Sequence, residues 1–246
     1  MYSGVLIDLG NTICYNQDFN FNRGLRFVYD NIINPKITLE EFLAFTSHFK
    51  SISFDIRDVF EISFRNYLMY LISYFNLEFN MSLDQLEEGF SEKLETLVLI
   101  DGVVDFLNYL RLKRKKIVIL SNSTFSSNTL KKSLAKLGIL DYFDCVYSSG
   151  DYIFRKPHQQ FFDLGIKYFN NDKNSFYYIG NDYYYDIIGA TNLKLRTIWF
   201  NEKKEENYNN LNILCFDNYI NLINILEEEE KHVWLFEINK KKGSCS

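Results

Sequence analysis

Residues 5–12 read VLIDLGNT and residues 176–182 read FYYIGND, and these two stretches decide the fold. In each, an apolar run ends in a turn of small and polar residues, which predicts a buried strand followed by a loop. Neighbouring parallel strands end at the same edge of a sheet, where α/β proteins bind their ligands. If these two strands are neighbours, Asp8, Asp182 and Asp186 lie together at that edge. Carboxylates gathered in this way favour a hard cation such as Mg²⁺.

The sequence beyond residue 101 alternates between strand and helix patterns. We predict strands over residues 117–120, 145–147, 176–179, 196–200 and 213–216, and helices over residues 104–112, 130–137, 159–169, 185–191 and 219–226. This alternation is typical of the α/β class, and it predicts a Rossmann-like parallel sheet flanked by helices. We expect residues 1–14 and 100–226 to form this core.

Residues 15–99 have a different pattern, with helical spacing throughout and no predicted strand. Capping-box patterns mark helix starts at Thr38 and Ser82. Because this segment follows the first strand, we expect an inserted α-helical cap that lies over the carboxyl edge of the sheet. Residues 227–246 form a C-terminal tail, which we expect to dock on its own domain through a short strand around Trp234. A partner-binding segment is the alternative for this tail.

Composition narrows the classes of function. The 246 residues carry a net charge of −5, which gives no reason to expect nucleic-acid binding. No apolar stretch approaches the ~20 residues needed to span a bilayer, and the N-terminus lacks a basic leader, so we expect no membrane partner and a cytoplasmic protein. The oligomeric state is left open. Four scattered cysteines without metal-like spacing predict reduced thiols: Cys14, Cys145, Cys215 and Cys245.

Four polar clusters lie at predicted strand ends or helix starts. They are residues 8–12, Ser121-Asn122, Arg155-Lys156-Pro157 and residues 180–186. Taken singly, each has a structural explanation as a turn, a helix cap or a helix entrance. Together they supply a carboxylate nucleophile, a hydroxyl with backbone amides, a cation and metal ligands. These are the components of a site for phosphoryl transfer.

In order and spacing, the four clusters resemble the motifs of the haloacid dehalogenase-like (HAD) superfamily, with a helical cap inserted between the first and second motifs. The resemblance covers the chain up to about residue 226. It implies a Mg²⁺-dependent phosphatase that acts on a small phosphorylated metabolite, such as a sugar phosphate, through an aspartyl phosphate on Asp8. It also implies that Mg²⁺ is held by Asp8, the backbone carbonyl of Gly10 and Asp182.

The same resemblance assigns roles around the phosphate. Ser121 and Lys156 would act with the nucleophile in catalysis, and Asp186 would orient Lys156 or metal-bound water. Asn181 stands where the family often has an aspartate, so the direct metal ligand is either Asp182, which we favour, or Asp186. The residues expected to contact the substrate are Thr12, Ser121, Asn122 and Lys156.

Gly10 departs from the family pattern. Phosphatases of the family usually carry there a second aspartate, which protonates the leaving group and later activates water. General acid–base help is typically worth about 10²–10⁴ in rate, or roughly 3–5 kcal/mol. One hypothesis is that an anomeric or acyl leaving group needs less protonation. Another is that Asp18 or His48 reaches the site, although Asp18 is also a candidate helix N-cap.

Two other functions fit the same motifs. In a metal-independent 2-haloacid dehalogenase, Asp8 would attack carbon instead of phosphorus, and no second aspartate is needed. In a catalytically weak module, a phosphorylated ligand would bind with little turnover. The acidic pair Asp182 and Asp186 argues for a cation, and therefore for the phosphatase.

The sequence does not identify the substrate. The abundant aromatic residues of the cap predict either a packed interior or a pocket for a sugar or base. Four cap arginines are candidates for contacting an anionic substrate, and solvated helix faces explain them equally well. They are Arg23, Arg26, Arg57 and Arg65.

Overall fold

The computed structural model describes residues 2–55, 58–204, 213–228 and 230–231, and residues 48–55 are described by their backbone alone. The strands are β1 Gly4–Ile7, β2 Cys14–Phe19, β3 Glu95–Leu99, β4 Lys116–Ser121, β5 Cys145–Ser148, β6 Phe176–Gly180, β7 Arg196–Phe200 and β8 Leu214–Phe216. Six of them form one parallel sheet in the order β5-β4-β1-β6-β7-β8. The predicted α/β class is confirmed.

Strand β1 lies at the centre of the sheet between β4 and β6, with Ile7 opposite both Ile119 and Ile179. Val5 and Ile7 belong to the hydrophobic cluster on one face, and Leu6 belongs to the cluster on the other. A strand that is covered on both faces has no polar side, which explains its uninterrupted apolar run. The Asp8 amide donates to the Ile179 carbonyl at 2.9 Å, so Asp8 stands where the ladder ends.

The helices of the core are α5 Val103–Leu112, α6 Ser127–Lys136, α7 Gln159–Tyr168 and α8 Gly189–Asn192. A further helix covers residues 219–228. The predicted helix over residues 185–191 is in part a π-helix, Tyr183–Ile188, which leads into α8. Its first residues are held by Asp182, whose side chain accepts from the amides of Tyr184 and Tyr185.

The segment predicted to be helical throughout begins and ends in strands, so that prediction is wrong at both ends. Its helices are α1 Phe21–Asp30, α2 Leu39–Asp55, α3 Phe64–Phe75 and α4 Leu83–Leu94. Strands β2 and β3 flank them and pair as an antiparallel ribbon. Cys14 faces Leu99 in this ribbon. Because the pairing joins residues about 80 positions apart, no local pattern discloses it. The predicted limits of core, cap and tail stay predictions.

Both predicted capping boxes are present. The Thr38 amide donates to Glu41 and the Glu41 amide donates back to the Thr38 hydroxyl, and Ser82 forms the same reciprocal pair with Gln85. The predicted N-cap at Asp18 is wrong. Asp18 lies in β2 and pairs with Arg23 at 2.6 Å, while the cap of α1 is Asn20.

The C-terminal helix extends to residue 228, two residues into the predicted tail, and residues 230–231 are also helical. Glu230 forms ion pairs with Lys113 at 3.2 Å and Lys115 at 2.8 Å. The predicted strand around Trp234 lies outside the described residues.

Cys14, Cys145 and Cys215 are free thiols, and Cys245 is not among the described residues. None of the helices in the described part of the chain combines the length and apolarity needed to cross a bilayer. The cytoplasmic location stays a prediction.

Candidate active site

Lys156 lies at the centre of the candidate site, and its side chain is almost fully buried. Its Nζ donates to Asp8 Oδ1 at 2.5 Å and to Asp186 Oδ1 at 2.7 Å. The side chain of Asn122, directly after β4, holds the backbone of Lys156. The Lys156 amide donates to Asn122 Oδ1 at 2.8 Å, and the Lys156 carbonyl accepts from Asn122 Nδ2 at 2.9 Å. The Asn122 side chain therefore positions the lysine, and a contact between Asn122 and substrate stays a prediction.

Tyr178 is a member of this site that sequence reasoning missed. Its hydroxyl donates to Asp186 Oδ1 at 2.5 Å and accepts from Lys156 Nζ at 3.2 Å. In the sequence it belongs to the apolar run of β6. A tyrosine in a strand buried on both faces needs a partner for its hydroxyl, and that requirement is the signal that could have found it. We call Asp8, Lys156, Tyr178 and Asp186 the Lys156 cluster.

Asp186 accepts hydrogen bonds from three groups. Its Oδ1 accepts from Lys156 and Tyr178, and its Oδ2 accepts from the Asp182 amide at 3.0 Å. A Cβ at Gly180 would stand 2.5 Å from the Asp186 carboxyl carbon, so the strand end needs a glycine to let this carboxylate approach. These contacts suit Asp186 to orienting Lys156, and the choice of Asp182 over Asp186 as the direct metal ligand stays a prediction.

Thr12 lies next to Asp8 and is fully buried. Its Oγ1 is 3.0 Å from Asp8 Oδ2 and 3.1 Å from Asn181 Oδ1. One hydroxyl proton cannot serve two acceptors, so the second contact is satisfied when the Asn181 amide presents its N–H group. An aspartate at position 181 would have no such proton. The predicted substrate contact of Thr12 does not fit this burial, because its hydroxyl holds the carboxylate of Asp8.

The electrostatics of the Lys156 cluster follow from its burial. Burial raises the pKa of Asp8 to about 6, and Lys156 opposes the rise. Burial alone would lower the pKa of Lys156, but Asp186 and Asp8 together raise it. Burial, with Asp186 next to it, raises the pKa of Tyr178 well above its ordinary value, so the phenol keeps its proton. The cluster therefore sets two carboxyl groups against one ammonium group.

The oxygen atoms beside the cluster fit a hard cation. Asp182 Oδ1 accepts from the amides of Tyr184 at 2.9 Å and Tyr185 at 2.7 Å. Among the described residues, no hydrogen bond reaches Asp182 Oδ2 or the Gly10 carbonyl. The described part of the chain has no group of three or more His, Cys, Asp or Glu side chains arranged for a metal. The predicted Mg²⁺ ligands are two carboxylates and one carbonyl, and these residues fit that ion.

A cavity of about 510 Å³ adjoins the cluster. Leu9 and Gly10, in the loop that follows Asp8, line it, and so do Ser121 at the end of β4 and Asn122 directly after it. Ser121, predicted to bind phosphate, therefore faces the same space as the loop that carries Asp8. Arg155 lines the cavity too, and its Nε lies 3.6 Å from the buried carboxylate of Glu61.

Of the four arginines predicted to contact an anionic substrate, the three that the structure describes do not line this cavity. Arg23 pairs with Asp18, Arg26 with Asp30, and Arg65 with Asp84. Arg57 lies outside the described residues, as does the side chain of His48. Among the described residues, Arg155 is the arginine that lines the cavity. In the sequence it was noted only as part of the motif Arg155-Lys156-Pro157.

The family of haloacid dehalogenase-like hydrolases matches residues 36–200, and the chain belongs to this family. The resemblance inferred from the four motifs is confirmed.

Two curated relatives share parts of the sequence. The pyrimidine 5′-nucleotidase YjjG of Escherichia coli is 29% identical over 129 residues, which are 52% of this chain and 56% of that protein. A glyceraldehyde 3-phosphate phosphatase of Pyrococcus abyssi is 35% identical over 69 residues, 28% of this chain and 29% of that protein. The matches span about half the length of the first relative and less than a third of the second.

Solved structures share the fold over nearly the whole chain. A HAD phosphatase from Thermococcus onnurineus has a TM-score of 0.61 at 22% identity, covering 92% of this chain and 98% of its own. A 2-haloacid dehalogenase from Pseudomonas syringae has the same TM-score of 0.61 at 17% identity, covering 93% of this chain and 99% of its own. A phosphatase and a dehalogenase are equally similar to this chain in structure. These similarities therefore establish the fold, and the reaction has to be inferred from the residues of the site.

Proposed function

We propose that this protein is a phosphatase that hydrolyses a small phosphorylated metabolite through an aspartyl phosphate on Asp8. The observation that carries the proposal is the placement of Asp8 against Lys156, whose Nζ lies 2.5 Å from its carboxylate. The Asp8 carboxylate attacks phosphorus and the alkoxide leaves; water then releases phosphate and restores the carboxylate. Lys156 neutralises charge on Asp8 and on the phosphoryl oxygens, and Ser121 donates to those oxygens.

Three further residues keep the nucleophile in place. Thr12 holds Asp8 Oδ2, which leaves Oδ1 to the lysine. Asp186 and Tyr178 hold Lys156 from the opposite side. These contacts are made before a substrate arrives, so little reorganisation is needed at the moment of reaction.

Asp8, the Gly10 carbonyl and Asp182 are the residues that would hold Mg²⁺, with Asp186 in the layer behind them. When bound, the ion supplies positive charge that offsets the negative charge of the phosphoryl oxygens. Such an ion would offset negative charge in the cluster, because the carboxyl groups of Asp8 and Asp186 share one ammonium group, that of Lys156. Carboxylates without a compensating cation repel each other when they are buried together.

The same charge balance favours the phosphatase over the dehalogenase. A metal-independent reaction at carbon has no use for a second cation, yet Asp182 presents a carboxylate oxygen free of hydrogen bonds within the described residues. The relatives' names point to two different phosphorylated compounds, a pyrimidine nucleotide and glyceraldehyde 3-phosphate. Both names refer to the hydrolysis of a phosphate ester, and they do not identify one substrate for this chain.

Phosphate release from a panel of phosphorylated metabolites, measured with Mg²⁺ and with EDTA, tests the proposal. We expect turnover that EDTA abolishes and that Asp8→Asn reduces by on the order of 10⁵-fold, because the amide is no nucleophile. Halide release from 2-chloropropionate is assayed in parallel. Halide release without phosphate release would establish the dehalogenase. A stable complex with BeF₃⁻ and no turnover of any compound would establish the binding module.

A further inference from the structure

Glu61 is a buried acidic residue that the proposed reaction does not use. It lies shortly before α3, in the segment between β2 and β3, and its side chain is fully buried. Its Oε2 accepts from the Ser149 hydroxyl at 2.7 Å and lies 3.6 Å from Arg155 Nε. A buried carboxylate costs free energy unless hydrogen bonds and an opposite charge compensate it. The partners of Glu61 therefore indicate which parts of the chain it holds together.

Ser149 connects Glu61 to the loop after Ser121. Ser149 follows β5 directly, is fully buried, and its Oγ accepts from the Ser123 amide at 2.9 Å. Its hydroxyl proton has two acceptors within reach, Glu61 Oε2 at 2.7 Å and the Ser123 carbonyl at 3.1 Å. The carboxylate takes this proton, because it is the nearer acceptor and hydrogen bonds to ionised groups are the stronger ones. The hydroxyl thus bridges the Glu61 carboxylate and the Ser123 amide, two residues after Ser121.

A second set of contacts connects Glu61 to the loop that carries Lys156. Residues 59–61 lie antiparallel to residues 153–155 in a single β-bridge. Two backbone hydrogen bonds join them, one donated by the Glu61 amide at 2.9 Å and one donated by the Arg155 amide at 3.0 Å. Because Arg155 directly precedes Lys156, this pairing sets the path of the chain that enters the Lys156 cluster.

We propose that Glu61 is a positioning residue, which holds the loop after Ser121 and the loop of Lys156 in a fixed relation to each other. It does so from the segment between β2 and β3, which contains neither loop. The inference rests on the proposed function, since Ser121 and Lys156 are the groups that would bind the phosphoryl oxygens. Phosphoryl transfer is catalysed mostly by positioning and by charge, so a small displacement of either loop lowers the rate. Glu61 does not line the cavity, so it acts on a substrate only through these loops.

Glu61→Ala and Glu87→Ala form a matched pair of variants. Glu87 is also a buried glutamate of the segment between β2 and β3, and it also accepts from a serine hydroxyl at 2.7 Å. Its serine partner, Ser126, is the N-cap of α6. We expect Glu61→Ala to lower kcat about tenfold or more and to change KM less than about threefold, because misplaced groups weaken transition-state binding. Glu87→Ala should lower kcat less than about twofold. Equal losses of kcat in the two variants would overturn the inference.

Two further variants separate the connections of Glu61. Glu61→Gln keeps an oxygen for the Ser149 hydroxyl and loses the charge that faces Arg155, so its kcat should lie between those of the wild type and Glu61→Ala. This variant also keeps the test open if Glu61→Ala does not fold. Ser149→Ala removes the bridge to the Ser123 amide. If Glu61 acts through Ser149, the loss of kcat in the double alanine variant should be smaller than the product of the two single losses. Losses that simply multiply would count against the inference.

Hydrogen–deuterium exchange distinguishes failure of this inference from failure of the proposed function, because it needs no substrate. In Glu61→Ala, the amides of residues 121–124 and 153–156 should exchange about tenfold faster or more, relative to those of β1 and β6. In Glu87→Ala, the faster exchange should be confined to the start of α6. Unchanged exchange in both loops overturns the inference, even where phosphate is released. If no compound releases phosphate and both loops exchange faster, the proposed function fails and the positioning by Glu61 stands.

Discussion

The Lys156 cluster and the contact around Glu87 both bury carboxylates, and they satisfy them in different ways. In the first, Asp8 and Asp186 share one ammonium group at 2.5 and 2.7 Å. In the second, one carboxylate meets neutral donors. Glu87 accepts from the amide of Ser126 at 2.9 Å, from its hydroxyl at 2.7 Å and from Thr129 Oγ1 at 3.1 Å. We call Glu87, Ser126 and Thr129 the Glu87 cluster.

The Glu87 cluster joins two helices. Glu87 belongs to α4, and Ser126 is the N-cap of α6, where the helix dipole favours a negative charge. Arg65 Nε, at 3.5 Å, adds a partly exposed cation at its edge. Both oxygens of this carboxylate accept hydrogen bonds from the protein, as is typical of a buried polar group with a structural role.

The difference lies in the charge balance. Two buried carboxylates with one ammonium group keep an excess negative charge, since within the described ranges no further side chain forms an ion pair with either carboxylate. Such an excess persists where a further cation or a reacting group completes the site. The Glu87 cluster has no comparable excess, so we expect changes there to alter stability and changes at the Lys156 cluster to alter chemistry.

Lys156→Met should have the largest effect. It removes the charge that stabilises the transferring phosphoryl group, so kcat should fall by roughly 10²–10³. It also leaves Asp8 and Asp186 facing each other without a cation, which should lower the free energy of unfolding by about 3–5 kcal/mol. Steady-state kinetics and urea denaturation measure both. Lys132→Met, at a surface pair with Glu88, is the control and should cost less than about 1 kcal/mol.

Gly10→Asp adds a carboxylate beside the Lys156 cluster. A Cβ at Gly10 meets no atom within 4 Å, so the side chain fits. If the missing acid limits turnover, alkyl phosphates should be hydrolysed about tenfold faster or more, and sugar 1-phosphates, whose leaving group is less basic, should gain less. Gly10→Asn controls for size. Equal gains on both kinds of substrate would remove the leaving-group explanation.

Tyr178→Phe tests whether the buried phenol positions Lys156. The ring keeps its place, but Asp186 loses the hydrogen bond from the hydroxyl, and Lys156 loses a neighbour at 3.2 Å. Loss of a hydrogen bond to a charged group is worth about 1.5–3 kcal/mol in stability. We expect kcat to fall about tenfold with KM unchanged. A rise in KM alone would assign the tyrosine to substrate binding.

Glu87→Gln should have the smallest effect on chemistry. The amide cannot accept hydrogen bonds at both ends, so one donor of α6 loses its partner and the free energy of unfolding should fall by about 1–3 kcal/mol. We expect kcat to change less than twofold. Glu92→Gln, at the exposed pair with Lys136, is the matched control with a smaller loss of stability. A large fall in kcat with Glu87→Gln would show that charge balance does not separate the two clusters.

The elements that the sequence predicted correctly are those with strong local patterns. Strands β1, β4 and β6 are continuous apolar runs because they are covered on both faces, and both capping boxes have their partners three residues away. The β2–β3 ribbon escaped prediction because it pairs two segments about 80 residues apart in the sequence, and β2 reads CYNQDF, with little apolar content. Tyr178 escaped because its hydroxyl is inconspicuous in an apolar run.

The sequence by itself determined a parallel α/β sheet with Asp8 directly after a strand, Lys156 at a helix entrance and Asp186 in a helix, since strand patterns and polar turns are local. Only the tertiary structure decided what each polar side chain does. It assigned Asn122 to the Lys156 backbone, Thr12 to Asp8, and Tyr178 to Asp186. Thr12 reaches Asp8 within one loop, whereas Asn122 and Lys156 lie 34 residues apart and Tyr178 and Asp186 lie on a strand and the helix after it, so the folding of the chain brings these two pairs within hydrogen-bonding distance.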